Sequence, residues 1–149
     1  MNPDLQALEL WRHTLVASVR AQTPDLSARQ MALLLCVYLT EGPHTVRGLA
    51  LTLGVSKPAI SRALDRLGEL GYVRRKRDDI DRRNVMVQRT ADGALFLMDF
   101  SAMLHSAQQH LLHAPPIPAL GDFDMPEAGD GFVPLKPAHA EAGWIDAAE

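Results

Sequence analysis

The clearest pattern in the chain is a pair of apolar stripes at helical spacing, separated by a short turn. The first stripe, within residues 49–53, ends at Gly54, the residue type that most often closes a helix in the left-handed conformation. Ser56 then offers a side-chain oxygen that can cap a second helix over about residues 57–70. The apolar residues of this second helix lie on one face: Ile60, Ala63, Leu64 and Leu67. The pattern therefore predicts a helix-turn-helix whose polar residues face outward.

Capping residues predict the elements that precede this unit. Two helices are expected, over about residues 3–22 and 27–40. Ser27 and Gln30 form a capping box at the start of the second of them. The first helix of the helix-turn-helix itself is expected to begin near residues 45–46.

A β-hairpin and a long helix are predicted after the helix-turn-helix. Residues 72–77 and 85–89 form the two strands, and Thr90 can cap a helix that runs toward His113. The apolar side of this helix is expected to contain Leu95, Met98, Ala102, Leu111 and Leu112. The fold class is therefore mainly α with one small β-hairpin.

Residues 114–149 differ in composition from the rest of the chain. They contain six of the ten prolines, four of the ten glycines and seven acidic residues. Such a segment cannot bury enough apolar surface to form a core, so a disordered acidic tail is predicted behind a domain over residues 1–113. Phe123, Phe132 and Trp144 are unusual in a linker, and they could dock on the domain or on a protein partner.

Charge is distributed unevenly along the chain, whose net charge is −3. Residues 57–89 contain ten Lys or Arg against five Asp or Glu, whereas the tail contains seven acidic residues and one Lys. Residues 1–56 are balanced, with four of each sign. A basic stretch on a helix-turn-helix and its neighbouring hairpin indicates a surface that faces phosphates, so double-stranded DNA is the expected partner.

Several other classes of protein do not fit the sequence. The longest apolar run, residues 31–39, is too short to cross a bilayer, and no signal peptide opens the chain. A soluble cytoplasmic protein without a membrane partner is expected.

The single cysteine, Cys36, rules out an internal disulfide and is expected to be an inert core residue. A phosphate-binding loop, a nucleophile elbow and an HExxH helix are missing, which predicts a protein that is not an enzyme and uses no cofactor. His110 and His113 share a helix face, but no four-ligand set accompanies them, so no metal site is expected.

The ordered set of motifs between residues 27 and 95 resembles the MarR family of winged-helix transcription regulators. The family pattern begins with an LAxxLG(V/I)S turn and a recognition helix that ends in LxxxG. An apolar pair follows, then any residue and an Arg, and finally a DxR at the wing tip and a TxxG. The chain carries these motifs as Leu49-Ala50, Leu53-Gly54-Val55-Ser56, Leu67, Gly71-Tyr72-Val73, Arg75, Asp81-Arg82-Arg83 and Thr90 to Gly93. Arg89 departs from the pattern, because the family usually has Leu there, and different packing is expected at the end of the second wing strand. The chain beyond His113 does not resemble the family's last helix.

The resemblance implies a winged helix-turn-helix with a DNA-binding core over residues 27–90, flanked by terminal helices that pair two subunits. The recognition helix is expected in the major groove and the wing in the minor groove, with Arg83 inserted there and Asp81 bracing it. The expected function is a homodimeric repressor that reads an inverted repeat. The residues expected to contact DNA are Ser56, Lys57, Ser61, Arg62, Arg66, Arg74, Arg75, Arg77, Asp81, Arg82 and Arg83.

Two alternatives remain open from the sequence. The chain could be a protein-interaction module that keeps this fold and binds a regulatory partner through its tail or its recognition face, although the basic cluster favours DNA. An unidentified small-molecule effector could also bind between the dimerisation and DNA-binding parts, near Trp11 and His13, although structural packing is the favoured role of Trp11.

Overall fold

The computed structural model describes residues 3–113, which form five α-helices and three short β-strands. In chain order these are α1 (Pro3–Arg20), α2 (Ala28–Leu39), β1 (His44–Thr45), α3 (Val46–Leu53), α4 (Lys57–Glu69), β2 (Val73–Arg77), β3 (Val85–Arg89) and α5 (Ala91–Leu111). The predicted helices and hairpin are confirmed in their order, and α1 ends two residues earlier than expected. The tail predicted over residues 114–149 lies outside the described residues.

Side-chain caps fix where the helices begin. Ser27 Oγ accepts a hydrogen bond from the amide of Gln30 at 3.2 Å, and Gln30 Oε1 accepts one from the amide of Ser27 at 2.9 Å, which confirms the capping box. Ser56 and Thr90 cap α4 and α5 through the amides three residues later. Gly54 ends α3 in the left-handed conformation, with a φ of 63°. The helix-turn-helix is therefore delimited by the residues that its sequence pattern indicated.

The three strands form an antiparallel sheet in the order β1–β3–β2. The hairpin register pairs Val73 with Arg89, Arg74 with Gln88, Arg75 with Val87, Lys76 with Met86 and Arg77 with Val85. Side chains alternate across a strand, so Val73, Arg75 and Arg89 lie on one face of the hairpin. The strand β1, His44–Thr45, was not predicted, because two residues are too few to show an alternation in the sequence.

The core lies between α2, α3, α4 and the base of the hairpin. Its largest fully buried side chains include Leu33 and Leu34 of α2 and Ile60, Leu64 and Leu67 of α4. Each such aliphatic side chain stabilises the fold by about 1.5–3 kcal/mol relative to an exposed one. The apolar face predicted for α4 is thus confirmed, and its burial leaves the polar face of this helix in solvent.

The prediction of which side of α5 faces the protein interior is wrong. Four of the expected residues are exposed: Leu95, Met98, Ala102 and Leu112. The buried residues are instead Phe96, whose ring stacks on Tyr72 at 4.6 Å, and Phe100, whose ring meets the edge of Trp11 at 6.4 Å. Aromatic rings bury more area than Leu or Met, so these contacts determine which side of α5 faces inward.

The apolar residues of α1 are only partly covered. Leu5 is buried, whereas Leu8, Leu15 and Val19 are exposed. Three large apolar residues of α5 and its carboxyl-terminal cap are also exposed, Leu95, Met98 and Leu112, so both terminal helices carry apolar side chains outside the core. No helix among residues 3–113 combines the length and the apolar character needed to cross a membrane.

Candidate nucleic-acid interface

The helix α4 presents a polar face that begins at its cap. Ser56 is committed to the helix start, because its Oγ accepts a hydrogen bond from the amide of Ala59 at 3.3 Å. Lys57 and Arg62 are exposed, Ser61 is half-buried, and neither cation is hydrogen-bonded or ion-paired within residues 3–113. The positive end of the helix dipole lies here and favours an anion. The amino-terminal half of α4 is therefore available to a phosphate or a base edge.

Arg66 lies one turn after Arg62 and is also exposed. Its guanidinium is 3.7 Å from the carboxylate of Glu69 on the same helix. An exposed ion pair of this kind contributes less than about 1 kcal/mol, so it does not prevent Arg66 from turning to another anion. Both arginines expected on the recognition helix are thus presented to solvent.

Arg75 of β2 contacts the carboxylate of Asp65, in the middle of α4. The hairpin register places Arg75 on the same face as the buried Val73, which directs it toward the recognition helix. The contact joins the wing to the recognition helix, and it engages a residue that was predicted to contact DNA.

The outer face of the hairpin carries Arg74 and Lys76. Arg74 donates a hydrogen bond to the side chain of Gln88 at 3.3 Å, directly across the hairpin. Lys76 is 3.8 Å from the carboxylate of Asp79. Arg77, at the end of β2, is exposed and forms no such contact within residues 3–113.

Two carboxylates organise the loop between the wing strands. Asp78 Oδ1 accepts a hydrogen bond from the amide of Ile80 at 2.9 Å, and Asp81 Oδ1 accepts one from the amide of Arg83 at 3.1 Å. These are Asx turns, in which a short acidic side chain fixes the backbone two residues later. Asp81 thus holds the backbone of Arg83, whereas the family resemblance implied a brace without specifying the atoms. The side chains of Arg82 and Arg83 are left exposed at the wing tip.

A cleft that opens to solvent lies between α1 and α5. This cleft of about 750 Å³ is lined by His13 and Arg20 of α1 and by Asp99 and His110 of α5, with small apolar residues between them. Trp11 is not among the residues that line this cleft; its ring contacts Phe100. The cleft is open to solvent and contains polar groups of both signs.

The histidines and Cys36 of the described residues do not form a further site. The rings of His13 and His110 are 4.6 Å apart, and His13 Nε2 is 3.3 Å from Glu9. The hydrogen bond from Arg12 lowers the pKa of Glu9 below its usual value. No group of three His, Cys, Asp or Glu side chains that could hold a metal occurs among residues 3–113. Cys36 is half-buried rather than buried, because its side of α2 borders a small cleft next to β1.

Comparisons with known proteins identify relatives of the helix-turn-helix and wing. A sequence model of the MarR family matches residues 25–84. No curated protein matches the chain significantly. The family match covers the capping box, the helix-turn-helix and most of the wing.

Solved structures extend the likeness to most of the chain. CouR from Rhodococcus jostii RHA1, bound to p-coumaroyl-CoA, is 26% identical, with a TM-score of 0.52 over 72% of this chain and 73% of that one. A MarR-family regulator from Rhodococcus sp. RHA1 is 25% identical, with a TM-score of 0.53 over 72% and 73%. A MepR variant from S. aureus, bound to an oligodeoxyribonucleotide, is 18% identical, with a TM-score of 0.64 over 76% and 80%. With these neighbours and the winged-helix architecture, the chain is similar to the MarR family of transcriptional regulators over residues 25–84 and shares the family's fold over about three quarters of its length.

Proposed function

We propose that this protein is a homodimeric transcriptional repressor that binds a specific inverted repeat in double-stranded DNA. The observation that supports the proposal most strongly is a set of Lys and Arg side chains without a hydrogen-bond or ion-pair partner among residues 3–113, on α4 and on the neighbouring wing. Lys57 and Arg62 on α4, and Arg77, Arg82 and Arg83 on the wing, are exposed and unpaired within residues 3–113. A DNA backbone supplies the dense negative charge that such a surface lacks.

In this proposal α4 enters the major groove. Arg62 and Arg66, one turn apart, reach guanine O6 and N7 or the flanking phosphates. Ser56, Lys57 and Ser61 contact the DNA backbone at the amino end of the helix, where the helix dipole adds favourable charge. The Asp65–Arg75 contact supports this arrangement, because it keeps the wing beside the helix while DNA binds.

The wing extends the contact to the neighbouring minor groove. Arg82 and Arg83 project from a tip whose backbone is fixed by Asp81, and a narrow minor groove concentrates negative potential around an inserted Arg. Arg74 and Arg77 provide phosphate contacts along the hairpin. Arg75 contributes mainly by holding the wing, since its guanidinium contacts Asp65.

The dimer is supported by the exposed apolar side chains of α1 and α5. Leu8, Trp11, Leu15 and Val19 of α1 are exposed, as are Leu95, Met98 and Leu112 of α5. A monomeric protein rarely leaves so many large apolar side chains in water. A two-fold dimer through these helices would place two recognition helices about one DNA turn apart, as an inverted repeat requires.

The functional domain in this proposal is residues 1–113, with the DNA-binding core over residues 27–90. Every proposed DNA contact lies within residues 1–113, and so do the exposed apolar residues of α1 and α5. The cleft between α1 and α5 is a candidate position for a small-molecule effector, since its size and mixed lining suit a small ligand. CouR, a structural neighbour, is bound to p-coumaroyl-CoA, which supports the proposal of a small-molecule effector.

The test is fluorescence anisotropy of the full chain on labelled duplexes tiled across the DNA upstream of its own coding sequence. One duplex is expected to bind at least about 10³-fold more tightly than the others, with an affinity that falls steeply as salt rises. Arg83→Ala should weaken binding to it by about 1–3 kcal/mol. Arg20→Ala, which removes the same charge at the α1–α5 cleft, is the matched control. Weak and equal binding to all duplexes would overturn the proposal and favour the protein-interaction module.

A further inference from the structure

The side chain of Arg89, the last residue of β3, reaches back to the carboxyl-terminal end of α2. Its Nε donates a hydrogen bond to the carbonyl of Val37 at 2.8 Å, and its Nη2 donates one to the carbonyl of Thr40 at 3.0 Å. The last carbonyls of a helix have no partner within the helix, and a cation there also complements the helix dipole. Arg89 therefore caps α2 from a different element.

Tyr38 extends this link to the start of α5. The guanidinium carbon of Arg89 lies 5.9 Å from the centre of the Tyr38 ring. The phenolic oxygen accepts a hydrogen bond from the amide of Thr90 at 2.8 Å, and it lies 2.9 Å from the carbonyls of both Tyr72 and Thr90, to one of which its proton is donated. One arginine and one tyrosine thus join the end of α2, both ends of the hairpin base and the first turn of α5.

The bonds of Arg89 and Tyr38 lie at the base of the hairpin, where a small change of angle displaces the wing tip. The tip lies about five residues from Arg89, or roughly 16 Å at the usual rise of a strand. A tilt of about 10° at the base would therefore move the tip by roughly 3 Å, enough to break a hydrogen bond to DNA. Because α2 packs against α4 in the same core, a wing fixed to α2 is also fixed relative to the recognition helix.

We infer that Arg89 is a positioning residue for DNA recognition, which sets the angle between the wing and the recognition helix. The inference rests on the proposed function, because only a DNA ligand gives that angle a consequence. Arg89 itself does not contact DNA in this account: the hairpin register places it on the same face as the buried Val73, and its donors are bound to α2. Leu, which the family usually has at this position, would offer no hydrogen bond to α2.

The experiment compares three variants at a temperature where each is folded by circular dichroism. Arg89→Met keeps the length of the side chain and removes its donors, and Arg89→Lys keeps the charge but replaces the two-pronged guanidinium. Arg77→Met removes one charge from the same hairpin, at a residue that is exposed and unpaired within the described residues. The probes are a duplex selected from a random library with the unmodified protein and a scrambled duplex of equal length.

Arg89→Met is expected to reduce affinity for the selected duplex by about tenfold and to change affinity for the scrambled duplex by less than about twofold. Arg77→Met should weaken both by a similar factor, as the loss of a phosphate contact does. Amide exchange over residues 78–84 should accelerate in Arg89→Met and not in Arg77→Met. Arg89→Lys should fall between Arg89→Met and the unmodified protein on the selected duplex.

Two results would overturn the inference alone. One is an Arg89→Met variant with the selectivity of the unmodified protein, and the other is equal weakening on both duplexes, which would make Arg89 a phosphate ligand. If Arg89→Met does not fold, the same criteria apply to Arg89→Lys and to Tyr38→Phe, which keeps the ring and removes its bonds to Thr90. Failure of the unmodified protein to select any duplex would instead overturn the proposed function and, with it, this inference.

Discussion

Gly93 lies so close to Tyr38 that no side chain fits between them. A Cβ at position 93 would be 2.1 Å from the phenolic oxygen of Tyr38 and 2.2 Å from the carbonyl oxygen of Tyr72. Both atoms belong to the hydrogen-bonded junction at the start of α5, whose cap Thr90 also donates to the carbonyl of Gly71 at 2.6 Å. The TxxG motif therefore combines a capping hydroxyl with a residue that leaves room for a tyrosine.

Gly93→Ala is expected to destabilise the fold by about 2–3 kcal/mol, the upper part of the range for overpacking a buried site. The cost is high because one of the two clashing atoms is a backbone oxygen, which cannot rotate away. Urea denaturation followed by circular dichroism measures the change. Tyr38→Phe in the same chain should relieve only part of it, since the ring carbon that bears the hydroxyl would still be 2.8 Å from the new Cβ.

Gly68→Ala is the control for this substitution. Nothing lies within 4 Å of a Cβ at position 68, and Gly68 is exposed near the end of α4. Ala in place of Gly within a helix is favourable by about 0.5–1 kcal/mol, so this variant should be as stable as the unmodified protein or slightly more stable. Equal losses in both variants would contradict the steric account of Gly93.

Local signals in the sequence were sufficient to place the helices. Ser27, Ser56 and Thr90 each cap a helix through a hydrogen bond that spans three residues, and Gly54 takes the left-handed conformation that the turn requires. The phase of α5 could not be predicted in the same way. It depends on Tyr72, which stacks on Phe96 and is distant in sequence, so the apolar spacing of Leu95 and Met98 was misleading.

The composition of the candidate interface was predictable, but the pairing within it was not. The basic residues of α4 and the wing could be identified from their density in the sequence. The partner of Asp65 could not, because Arg75 is ten residues away and reaches it only when the hairpin folds beside α4. Arg89 was recognisable as a departure from the family pattern, but its bonds to α2 depend on tertiary structure.

Tyr72 predicts a dependence of stability on alkaline pH. Burial raises the pKa of its phenol, and the nearby carboxylate of Asp92 raises it further, against a smaller opposing effect of Arg66. The folded state thus favours the neutral phenol, so the contribution of Tyr72 is fully present below about pH 10, the unfolded value, and is lost as pH rises through the folded pKa. Tyr72→Phe keeps the stacking on Phe96 and cannot ionise.

Denaturation curves at several pH values between 8.5 and 11 should show this difference. The free energy of unfolding of the unmodified protein should fall more steeply above pH 10 than that of Tyr72→Phe. A constant gap between the two proteins across this range would mean that Tyr72 ionises equally in the folded and unfolded states.

Asp65→Asn is expected to increase binding to non-specific DNA. The substitution removes a negative charge from the recognition helix and releases Arg75 to contact a phosphate. Affinity for a scrambled duplex should rise by roughly threefold, and the slope of log affinity against log salt should steepen by up to about one unit. The side chains of Asp65 and Arg75 are 55% and 40% exposed, so stability should change by less than about 1 kcal/mol. Asp99→Asn, on α5, is the charge-matched control, and an equal gain there would refute the local explanation.

The exposed apolar residues of α1 predict which substitution weakens the proposed dimer. Val19, on α1, is 69% exposed, and Leu51, on α3, is 77% exposed. Val19→Glu would bury a carboxylate in the proposed interface and should weaken dimerisation by about 2 kcal/mol or more, or roughly 30-fold. Leu51→Glu introduces the same charge at an equally exposed position outside that interface and should remain dimeric. Sedimentation velocity over a range of concentrations distinguishes the two variants, and a dimer that tolerates Val19→Glu but dissociates with Leu51→Glu would place the subunit interface on the helix-turn-helix instead.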